Sequence, residues 1–335
     1  MRNLKVNRAL LLALVAGGTI TFTSSFGSRK VPASHAEMIP NNPEKQIVEQ
    51  TETYSSNNIE IDNQVYQIEE ETNLETILSP FEEKLNYEYI DAVEATTGVN
   101  IRKGPSTEYD VIGGLTPGSR LPIINEYSEW YRVDYFGKEA FVNKNYVKKT
   151  RIITGTPEKV AYCHEDTILT DENKENHQLY KYEICLVYKE YPDGYLVAAN
   201  DILGIVPKSH VTELKGAYAV VDLSDQKVDI YRDNELVLST PCTTGKDATP
   251  TTVGCHQIHS EKHHDYLVGP GYKSYVTHFL AFHNGEGLHD ASWRSVFGND
   301  GYHENGSHGC VNLPEEVIEE VNNTLDTGDT VIVKH

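Results

Sequence analysis

The sequence has little positive charge and little helical patterning. Its 335 residues include 50 acidic and 29 basic side chains, which give a formal net charge of −21. A chain this acidic is not expected to bind nucleic acid, because contact with phosphates requires a basic surface. Apolar residues follow a helical period only over residues 314–325, where Val317, Ile318, Val321 and Leu325 share one face. Short alternating segments fill much of the remainder, so the fold is predicted to be mainly β.

The spacing typical of zinc peptidases is missing as well. Nine histidines crowd residues 256–308, but no His-Glu-x-x-His or comparable pair occurs among them. A zinc site needs several ligands in one tetrahedral arrangement, and these histidines offer no such spacing. No metal and no other cofactor is therefore predicted.

Long apolar runs are scarce. The one at the N-terminus, residues 9–22, follows three basic residues and is too short to span a bilayer comfortably. It is typical of a secretory signal, and residues 34–36, Ser-His-Ala, offer a small-x-small cleavage site. Residues 1–36 are therefore predicted to be a signal peptide, with an uncleaved membrane anchor as the alternative. In both cases the rest of the chain is expected to be exported.

The segment after this signal is strongly acidic. Residues 37–90 carry 13 acidic and 2 basic side chains and few aromatic ones. Such a composition buries too little apolar surface to fold alone. The segment is predicted to be a disordered spacer, and a short helix around residues 74–85 is the alternative.

Five cysteines are present, and in an exported protein they invite disulfides. Pairing Cys163 with Cys185 and Cys242 with Cys255 would leave Cys310 as the odd thiol. The alternative is that all five are reduced and that the other four are small buried apolar residues.

A small β-barrel is predicted over residues 91–150. Short alternating strands separated by Gly, Pro, Asn and Asp turns fill this region. Its residues 99–106, Val-Asn-Ile-Arg-Lys-Gly-Pro-Ser, make it similar to bacterial SH3-like (SH3b) domains. The resemblance implies binding to peptidoglycan peptides, with a supporting or spacing role as the alternative.

A second copy of this barrel is predicted over residues 151–214. A shift of 64 residues places Tyr195 and Val197 on Tyr131 and Val133. The same shift aligns residues 204–211 with residues 140–147. Because the Asn-Ile-Arg signature is absent from this copy, it is predicted to be a divergent SH3-like barrel.

The remaining residues, 215–335, contain a cysteine set in a short polar turn. Residues 307–312 read Ser-His-Gly-Cys-Val-Asn, and His289 precedes them. The thiolate is the reactive form of cysteine, and a free thiol with a pKa of about 8.5 is mostly protonated at neutral pH. A nearby imidazole can remove the proton, and backbone amides beside Gly309 can stabilise an oxyanion. This pattern predicts Cys310 as a nucleophile.

The Ser-His-Gly-Cys string with a histidine upstream resembles the L,D-transpeptidase (YkuD-type) family. The opening strands of this region, the Thr-Gly-Lys of residues 244–246 and the Thr-Pro of residues 249–250 match the family too. The resemblance implies a β-sandwich catalytic domain with one or two short helices, placed after the two SH3-like barrels. It implies His289 as proton donor and acceptor, oriented by the carbonyl of Asp290. The Asp290 carboxylate could compete for that role.

Other residues near the turn are assigned smaller roles. His308 is expected to support catalysis, although it could itself be the base, and Gly309 is expected to supply the oxyanion backbone. Ser307 is expected to anchor the turn, with substrate contact as a second role. The remaining candidates for substrate binding are Asn312, Trp293, Arg294 and Tyr275. Asn312 stands where many family members have arginine, Arg294 could equally form a surface ion pair, and Tyr272 and Tyr275 could equally be packing residues of a lid.

The resemblance implies an enzyme that cross-links peptidoglycan stem peptides, so the exported chain is expected to be extracellular and associated with the cell wall. Its nucleophile would form a thioester at the third-position diamino acid, expel D-alanine and transfer the acyl group to an amine of another stem. The family's thiol is also acylated by carbapenems. An L,D-carboxypeptidase that uses water and a non-enzymatic wall-binding protein are the alternatives. Another exported cysteine peptidase is disfavoured, because in such enzymes the cysteine usually precedes the histidine.

Overall fold

The computed structural model describes residues 85–269 and 271–335. Strands account for 57% and helices for 8% of this structure, so the prediction of a mainly β fold is confirmed. The predicted signal or anchor, residues 1–36, and all but the last residue of the possible helix at residues 74–85 lie outside the described residues. Within the described part of the chain, no helix combines the length and apolarity needed to cross a membrane.

The first seven strands form a barrel, named barrel 1. They are β1 (Tyr87–Ala95), β2 (Val99–Arg102), β3 (Val111–Leu115), β4 (Arg120–Glu126), β5 (Trp130–Tyr135), β6 (Lys138–Asn143) and β7 (Val147–Gly155). Their order in the sheet is β3-β2-β6-β5-β4-β1-β7. Alternate residues point inward, and Val93, Ile101, Val133, Ala140 and Val142 are fully buried in a core of the barrel's own.

The next seven strands form barrel 2. They are β8 (Lys159–Cys163), β9 (Thr167–Asp171), β10 (Asn176–Leu179), β11 (Ile184–Glu190), β12 (Gly194–Ala199), β13 (Ile202–Pro207) and β14 (Val211–Glu213). Their order, β10-β9-β13-β12-β11-β8-β14, repeats that of barrel 1 strand for strand. The strands β11, β12 and β13 begin 64 residues after β4, β5 and β6. The offset found in the sequence therefore recurs in the structure.

The strands at the ends of barrel 1 extend past the predicted boundaries. β1 pairs with β7 along its whole length, from Tyr87 opposite Gly155 to Ala95 opposite Val147. Residues 87–90, assigned to the disordered spacer, are thus part of a strand. These residues form a strand because their backbone groups pair with residues 152–155, where Ile152 and Ile153 are buried. The remaining domain boundaries stay predictions.

The C-terminal region is a two-sheet sandwich with short helices. One sheet has the order β17-β16-β15-β23-β18, and the other has the order β19-β20-β21-β22. The strands are β15 (Ala217–Asp222), β16 (Lys227–Arg232), β17 (Glu235–Pro241), β18 (Gly254–Gln257), β19 (Ser260–Gly269), β20 (Tyr272–His283), β21 (Glu286–Asp290), β22 (Val311–Leu313) and β23 (Thr330–Lys334). The helices are α1 (Tyr302–Asn305) and α2 (Ile318–Thr324), and a 3₁₀ turn over Glu315–Val317 leads into α2. The predicted helix over residues 314–325 is therefore confirmed.

The five-stranded sheet is buried on both faces. Its inner residues, Ala219, Val221, Ile230 and Val331 among them, pack against the four-stranded sheet and α2. Its outer residues Tyr218, Val220, Tyr231 and Ile332 pack in one cluster with residues of barrel 2. Barrel 2 and the sandwich therefore share a hydrophobic core.

Polar contacts join barrel 1 to the sandwich. Thr116 donates to the carbonyl of Ser224 at 2.5 Å, and Ser119 donates to the Asp225 carboxylate at 2.8 Å.

Ion pairs form a second joint, between barrel 2 and the sandwich. Lys334, on the last strand, pairs with Asp222 at 2.9 Å and with Glu183 of barrel 2 at 3.2 Å. All three side chains of that second joint are at most 10% exposed.

All five cysteines are free. The sulfurs of Cys163 and Cys185 lie 3.7 Å apart on neighbouring strands of barrel 2, and both are buried. Cys242 and Cys255 cannot pair as the sequence suggested. Cys242 follows β17 and Cys255 lies on β18, at opposite edges of the five-stranded sheet. Four strand spacings separate them by roughly 19 Å, far beyond the reach of a disulfide.

Candidate active site

Strand pairing brings Cys310, His289 and Asn312 onto one face of the four-stranded sheet. β21 and β22 run parallel, with Leu288 opposite Val311 and His289 opposite Asn312. This register places Cys310 beside Gly287. Because side chains alternate along a strand, Cys310 and Asn312 point to the same side as His289. The opposite side of these strands carries Leu288, Val311 and Leu313 into the core.

The Cys310 sulfur is held by the backbone of the preceding hairpin. The thiol contacts the Gly285 carbonyl oxygen at 3.7 Å, and the Gly287 backbone hydrogen-bonds to the sulfur. Burial, together with the nearby charge of Glu286, raises the pKa of Cys310 to about 11. The Cys310 side chain is therefore a neutral thiol at neutral pH. A side chain at position 287 would collide with the Phe279 ring, 2.6 Å from its first carbon, so glycine is required there.

His289 is buried and its tautomer is set by one hydrogen bond. The ring is 3% exposed, and its Nδ1 lies 2.8 Å from the Asp290 carbonyl oxygen. Since a carbonyl only accepts, Nδ1 carries the proton and Nε2 is left as the basic atom. The Asp290 carboxylate is occupied elsewhere, because its Oδ1 accepts from the backbone of Thr277 and His278. Burial lowers the pKa of His289, so the imidazole is neutral at rest.

Ser307 shapes the turn that carries the cysteine. Its hydroxyl donates to the Cys310 carbonyl at 2.5 Å and accepts from the Gly309 amide at 3.0 Å. Gly309 has a φ of 113°, and a side chain there would also press on Glu286 at 3.1 Å. The turn thus needs serine for its internal bonds and glycine for its backbone.

Two threonines and Glu286, none of them singled out from the sequence, brace this turn. Thr251 donates to the Gly309 carbonyl at 2.8 Å, and the backbone and hydroxyl of Thr252 donate to the Glu286 carboxylate at 2.9 and 2.8 Å. The signal for them was weak. Residues 251–252 merely follow the Thr-Pro of the motif, and Glu286 merely stands between two glycines before His289.

His308 lies against the long β19–β20 hairpin. It is exposed, and its ring stacks on Tyr272 with centroids 5.1 Å apart and planes 7° from parallel. Tyr275, on the same hairpin, is 43% exposed and its hydroxyl bonds to His264 at 2.8 Å. The structure therefore places both tyrosines on the hairpin that was predicted to form a lid.

Trp293 and Arg294 have different surroundings. The exposed Trp293 ring lies 5.9 Å from that of His289. Arg294 donates to the Asn305 carbonyl at 2.6 Å and lines a cavity of 680 Å³ between the sandwich and barrel 1. The described residues that line this cavity include neither Cys310 nor His289.

Asn312 is 2% exposed, and its side-chain oxygen is buried without a hydrogen-bond partner among the described residues. It occupies the same sheet face as His289. An unpartnered buried oxygen is costly and usually has a functional reason. Its position therefore keeps Asn312 among the candidate substrate contacts.

The other histidines form separate local contacts. His263 bonds to His278, His256 to the Thr252 carbonyl and His303 to Asp247. In the described part of the chain, the ligand atoms of one group, Asp171, Glu175 and His177 of barrel 2, lie close enough together to hold a metal ion.

Barrel 1 carries a cleft of 380 Å³ on its surface. Its lining residues are Gly98, Val99, Asn100, Arg102, Thr107, Trp130, Asn143, Asn145 and Tyr146. Three of them, Val99, Asn100 and Arg102, belong to the signature found in the sequence. The positions in barrel 2 that correspond to Trp130, Asn143 and Tyr146 are Gly194, Pro207 and His210, so the second barrel has lost the residues of this cleft.

Two family models match the chain. Residues 216–333 match the L,D-transpeptidase catalytic domain (YkuD), and residues 97–148 match the bacterial SH3 domain. No curated protein matches the chain.

Solved structures similar to the chain are L,D-transpeptidases. A mutant L,D-transpeptidase of Enterococcus faecium is 30% identical over 36% of this chain and 50% of its own, with a TM-score of 0.35. The NMR structure of the catalytic domain of the E. faecium enzyme is 31% identical over 36% of this chain and 98% of its own (TM-score 0.34). The same domain acylated by ertapenem is 30% identical over 37% of this chain and 100% of its own (TM-score 0.34). This chain thus spans about half the length of the first of these structures.

Proposed function

Because this chain carries an L,D-transpeptidase catalytic domain and a bacterial SH3 domain, we propose that it cross-links peptidoglycan stem peptides through a thioester on Cys310. The observation that carries the proposal is the shared sheet face of Cys310 and His289, with His289 Nδ1 bonded to the Asp290 carbonyl. That arrangement leaves Nε2 free to accept the thiol proton.

The first step begins from two neutral groups. The pKa of Cys310 is raised and that of His289 is lowered, so neither is charged at rest. As the sulfur attacks the carbonyl carbon of the third-position diamino acid, His289 Nε2 takes the thiol proton. Moving the proton only during attack avoids a buried thiolate, whose desolvation would be costly.

The second step expels D-alanine. The tetrahedral intermediate carries a negative oxygen, and the backbone amide of Cys310 is suited to stabilise it, whereas the Gly309 amide already donates to the Ser307 hydroxyl. When the intermediate collapses, the carbon–nitrogen bond breaks and His289 gives its proton to the leaving amine. A thioester between Cys310 and the diamino acid remains.

The third step transfers the acyl group. A side-chain amine of a neighbouring stem attacks the thioester, His289 accepts a proton from that amine, and the sulfur leaves as a thiol. The product is an amide between two third-position residues. Exposed aromatic side chains near the site, Trp293 and Tyr272, would favour an amine over water by limiting solvent.

Barrel 1 is proposed to bind the wall polymer through its cleft. The cleft combines an exposed aromatic ring, Tyr146, with the amide groups of Asn100 and Asn143, which suits a peptide ligand. The N-terminal segment, residues 1–36, is proposed to export the protein and to anchor it if it is not cleaved. Weak binding to a surface polymer would then raise the local concentration of stems.

Intact-mass spectrometry of the full chain tests the enzyme assignment. Wild type and Cys310→Ala would be incubated with a disaccharide-tetrapeptide and, separately, with a carbapenem. We expect a covalent adduct, D-alanine release and dimer formation with wild type, and none of these with Cys310→Ala. Cys255→Ala is the matched control, because Cys255 is also accessible but lies on another sheet, and it should behave as wild type.

Other outcomes have distinct meanings. Tripeptide without dimer would replace the transpeptidase by a carboxypeptidase. A folded wild-type protein that gives neither an adduct nor turnover would leave only the wall-binding role.

A further inference from the structure

Gln226 lies in the turn between β15 and β16, away from the residues assigned to the reaction. It is fully buried, and its φ of 51° is in the left-handed region that side chains rarely adopt. A buried amide in a strained backbone persists only where the surrounding structure requires it. The contacts of this side chain show what it holds.

The Gln226 amide binds Thr244 at two points. Its oxygen accepts from the Thr244 backbone amide at 2.9 Å, and its nitrogen donates to the Thr244 hydroxyl at 2.7 Å and to the Leu223 carbonyl at 2.8 Å. The Gln226 carbonyl also accepts from the Cys242 amide at 2.7 Å. One buried residue therefore makes three hydrogen bonds to Cys242 and Thr244.

That segment in turn holds both ends of the cysteine turn. Ser307 donates its backbone N–H to the Thr244 carbonyl at 2.9 Å. Thr243 exchanges two backbone hydrogen bonds with Asn312, each of 2.9 Å. Cys310 lies between these two anchor points.

We propose that Gln226 is a positioning residue for the Cys310 nucleophile, acting through Thr244 and Ser307. This inference rests on the proposed function in so far as it concerns acylation. Loss of the amide would let residues 242–244 shift, and the turn from Ser307 to Cys310 would shift with them. A displacement of about 1 Å at a reacting atom costs up to about 100-fold in rate.

Barrel 1 contributes to the same support. Ser119 donates to the carboxylate of Asp225, the residue before Gln226, and Thr116 donates to the carbonyl of Ser224. The turn of residues 224–226 is thus held from the barrel side as well as from the sandwich side. This contact gives barrel 1 a physical link to the nucleophile turn.

The test compares Gln226→Met with Gln178→Met in the full chain. Gln178 is an exposed glutamine of barrel 2 whose amide donates to the carbonyls of Thr167 and Leu179. Three properties would be measured: hydrogen exchange of the amides in residues 306–312, reversible carbapenem binding and the first-order rate of acylation. For Gln226→Met we expect faster exchange and a 10- to 100-fold slower acylation, with reversible binding changed less than about threefold. Gln178→Met should leave all three unchanged.

Unchanged exchange and acylation in Gln226→Met, or equal losses in both variants, would overturn the proposal. If Gln226→Met does not fold, Thr244→Val removes only the hydroxyl contact, and it should give the same pattern at reduced size. A wild-type protein that is never acylated would refute the proposed function. The exchange of residues 306–312 would still decide whether Gln226 positions the turn.

Discussion

Barrels 1 and 2 have the same strand order but different neighbours. Each barrel has a core of its own. Barrel 1 meets the sandwich mainly through polar contacts, among them hydrogen bonds from Thr116 and Ser119. Barrel 2 supplies most of the barrel residues in a further hydrophobic cluster with Tyr218, Tyr231 and Ile332 of the sandwich, to which barrel 1 adds Ile153. The barrel that keeps the SH3-like signature keeps a surface cleft, and the barrel that lost it covers a sheet.

The two barrels also differ at the cleft positions. Gly194 and Pro207 stand where barrel 1 has Trp130 and Asn143. The same fold has therefore been used once for a surface site and once as part of a domain core.

The largest loss of stability is expected when the ion pairs of Lys334, which join barrel 2 to the sandwich, are broken. Replacing Lys334 by Met leaves the carboxylates of Asp222 and Glu183 buried without their partner, and should lower the free energy of unfolding by about 3–5 kcal/mol. The matched change is Lys138→Met, which breaks an exposed pair between barrel 1 and Glu316 and should cost less than about 1 kcal/mol. Chemical denaturation measures both, and equal losses would contradict the comparison.

A second test uses a leucine from each barrel core. Leu196→Ala opens the core that barrel 2 shares with the sandwich, and should destabilise both together by about 2–5 kcal/mol. Leu121→Ala opens only the core of barrel 1. Hydrogen exchange of β15 and β23 should therefore rise in Leu196→Ala but stay near wild type in Leu121→Ala. Protection of those strands in both variants would show that the shared core is not a cooperative unit.

The stability contributed at Asp225, where barrel 1 meets the sandwich, should depend on pH. Burial and the charge of Asp222 raise the pKa of Asp225 to about 7, whereas an unfolded aspartate titrates at about 3.9. Between these values the folded state binds more protons, so stability falls as the pH rises from about 4 to about 7. Asp225→Asn should remove this slope and raise the melting temperature at pH 8 by a few degrees, on the order of 1 kcal/mol. Calorimetry at pH 5, 6.5 and 8, with the exposed Asp110→Asn as control, would measure it; parallel curves for wild type and Asp225→Asn would rule it out.

The smallest effect concerns wall binding. Tyr146→Ala removes the exposed ring of the barrel 1 cleft and should reduce retention on purified peptidoglycan by about three- to tenfold. His210→Ala changes the corresponding residue of barrel 2 and should have no effect. Equal retention of both variants would favour a spacing role for barrel 1.

Much of the fold could be predicted because its signals are local. Alternation along β5 and β6, and its repeat 64 residues later, is visible in the letters themselves. The position of Cys310 relative to His289 followed from family resemblance, and the parallel register of β21 and β22 now gives it a physical basis.

The features that could not be predicted from the sequence depend on contacts between residues far apart in the chain. The sequence around Gln226 does not predict its contact with Thr244, and the sequence around Ser119 does not predict its contact with Asp225. Of the two alternatives for the cysteines, the pairing of Cys242 with Cys255 was wrong for the same reason: the two residues are close in sequence but lie at opposite edges of the five-stranded sheet. The sequence also does not show whether the carbonyl or the carboxylate of Asp290 orients His289. In the structure the carboxylate accepts hydrogen bonds from the backbone of β20, and the carbonyl bonds to His289.

The parallel pairing of β21 with β22 has one more consequence. Residues 291–310 form the crossover between these strands, and they include Trp293, Arg294 and α1. The sheet places His289 opposite Asn312, and Cys310, at the end of the crossover, is held by the bonds of Ser307 and Thr251 to its turn. Under the proposed function, changes in the middle of this crossover would alter the surroundings of the site, and with them the choice of acceptor, while His289 and Cys310 keep their anchors.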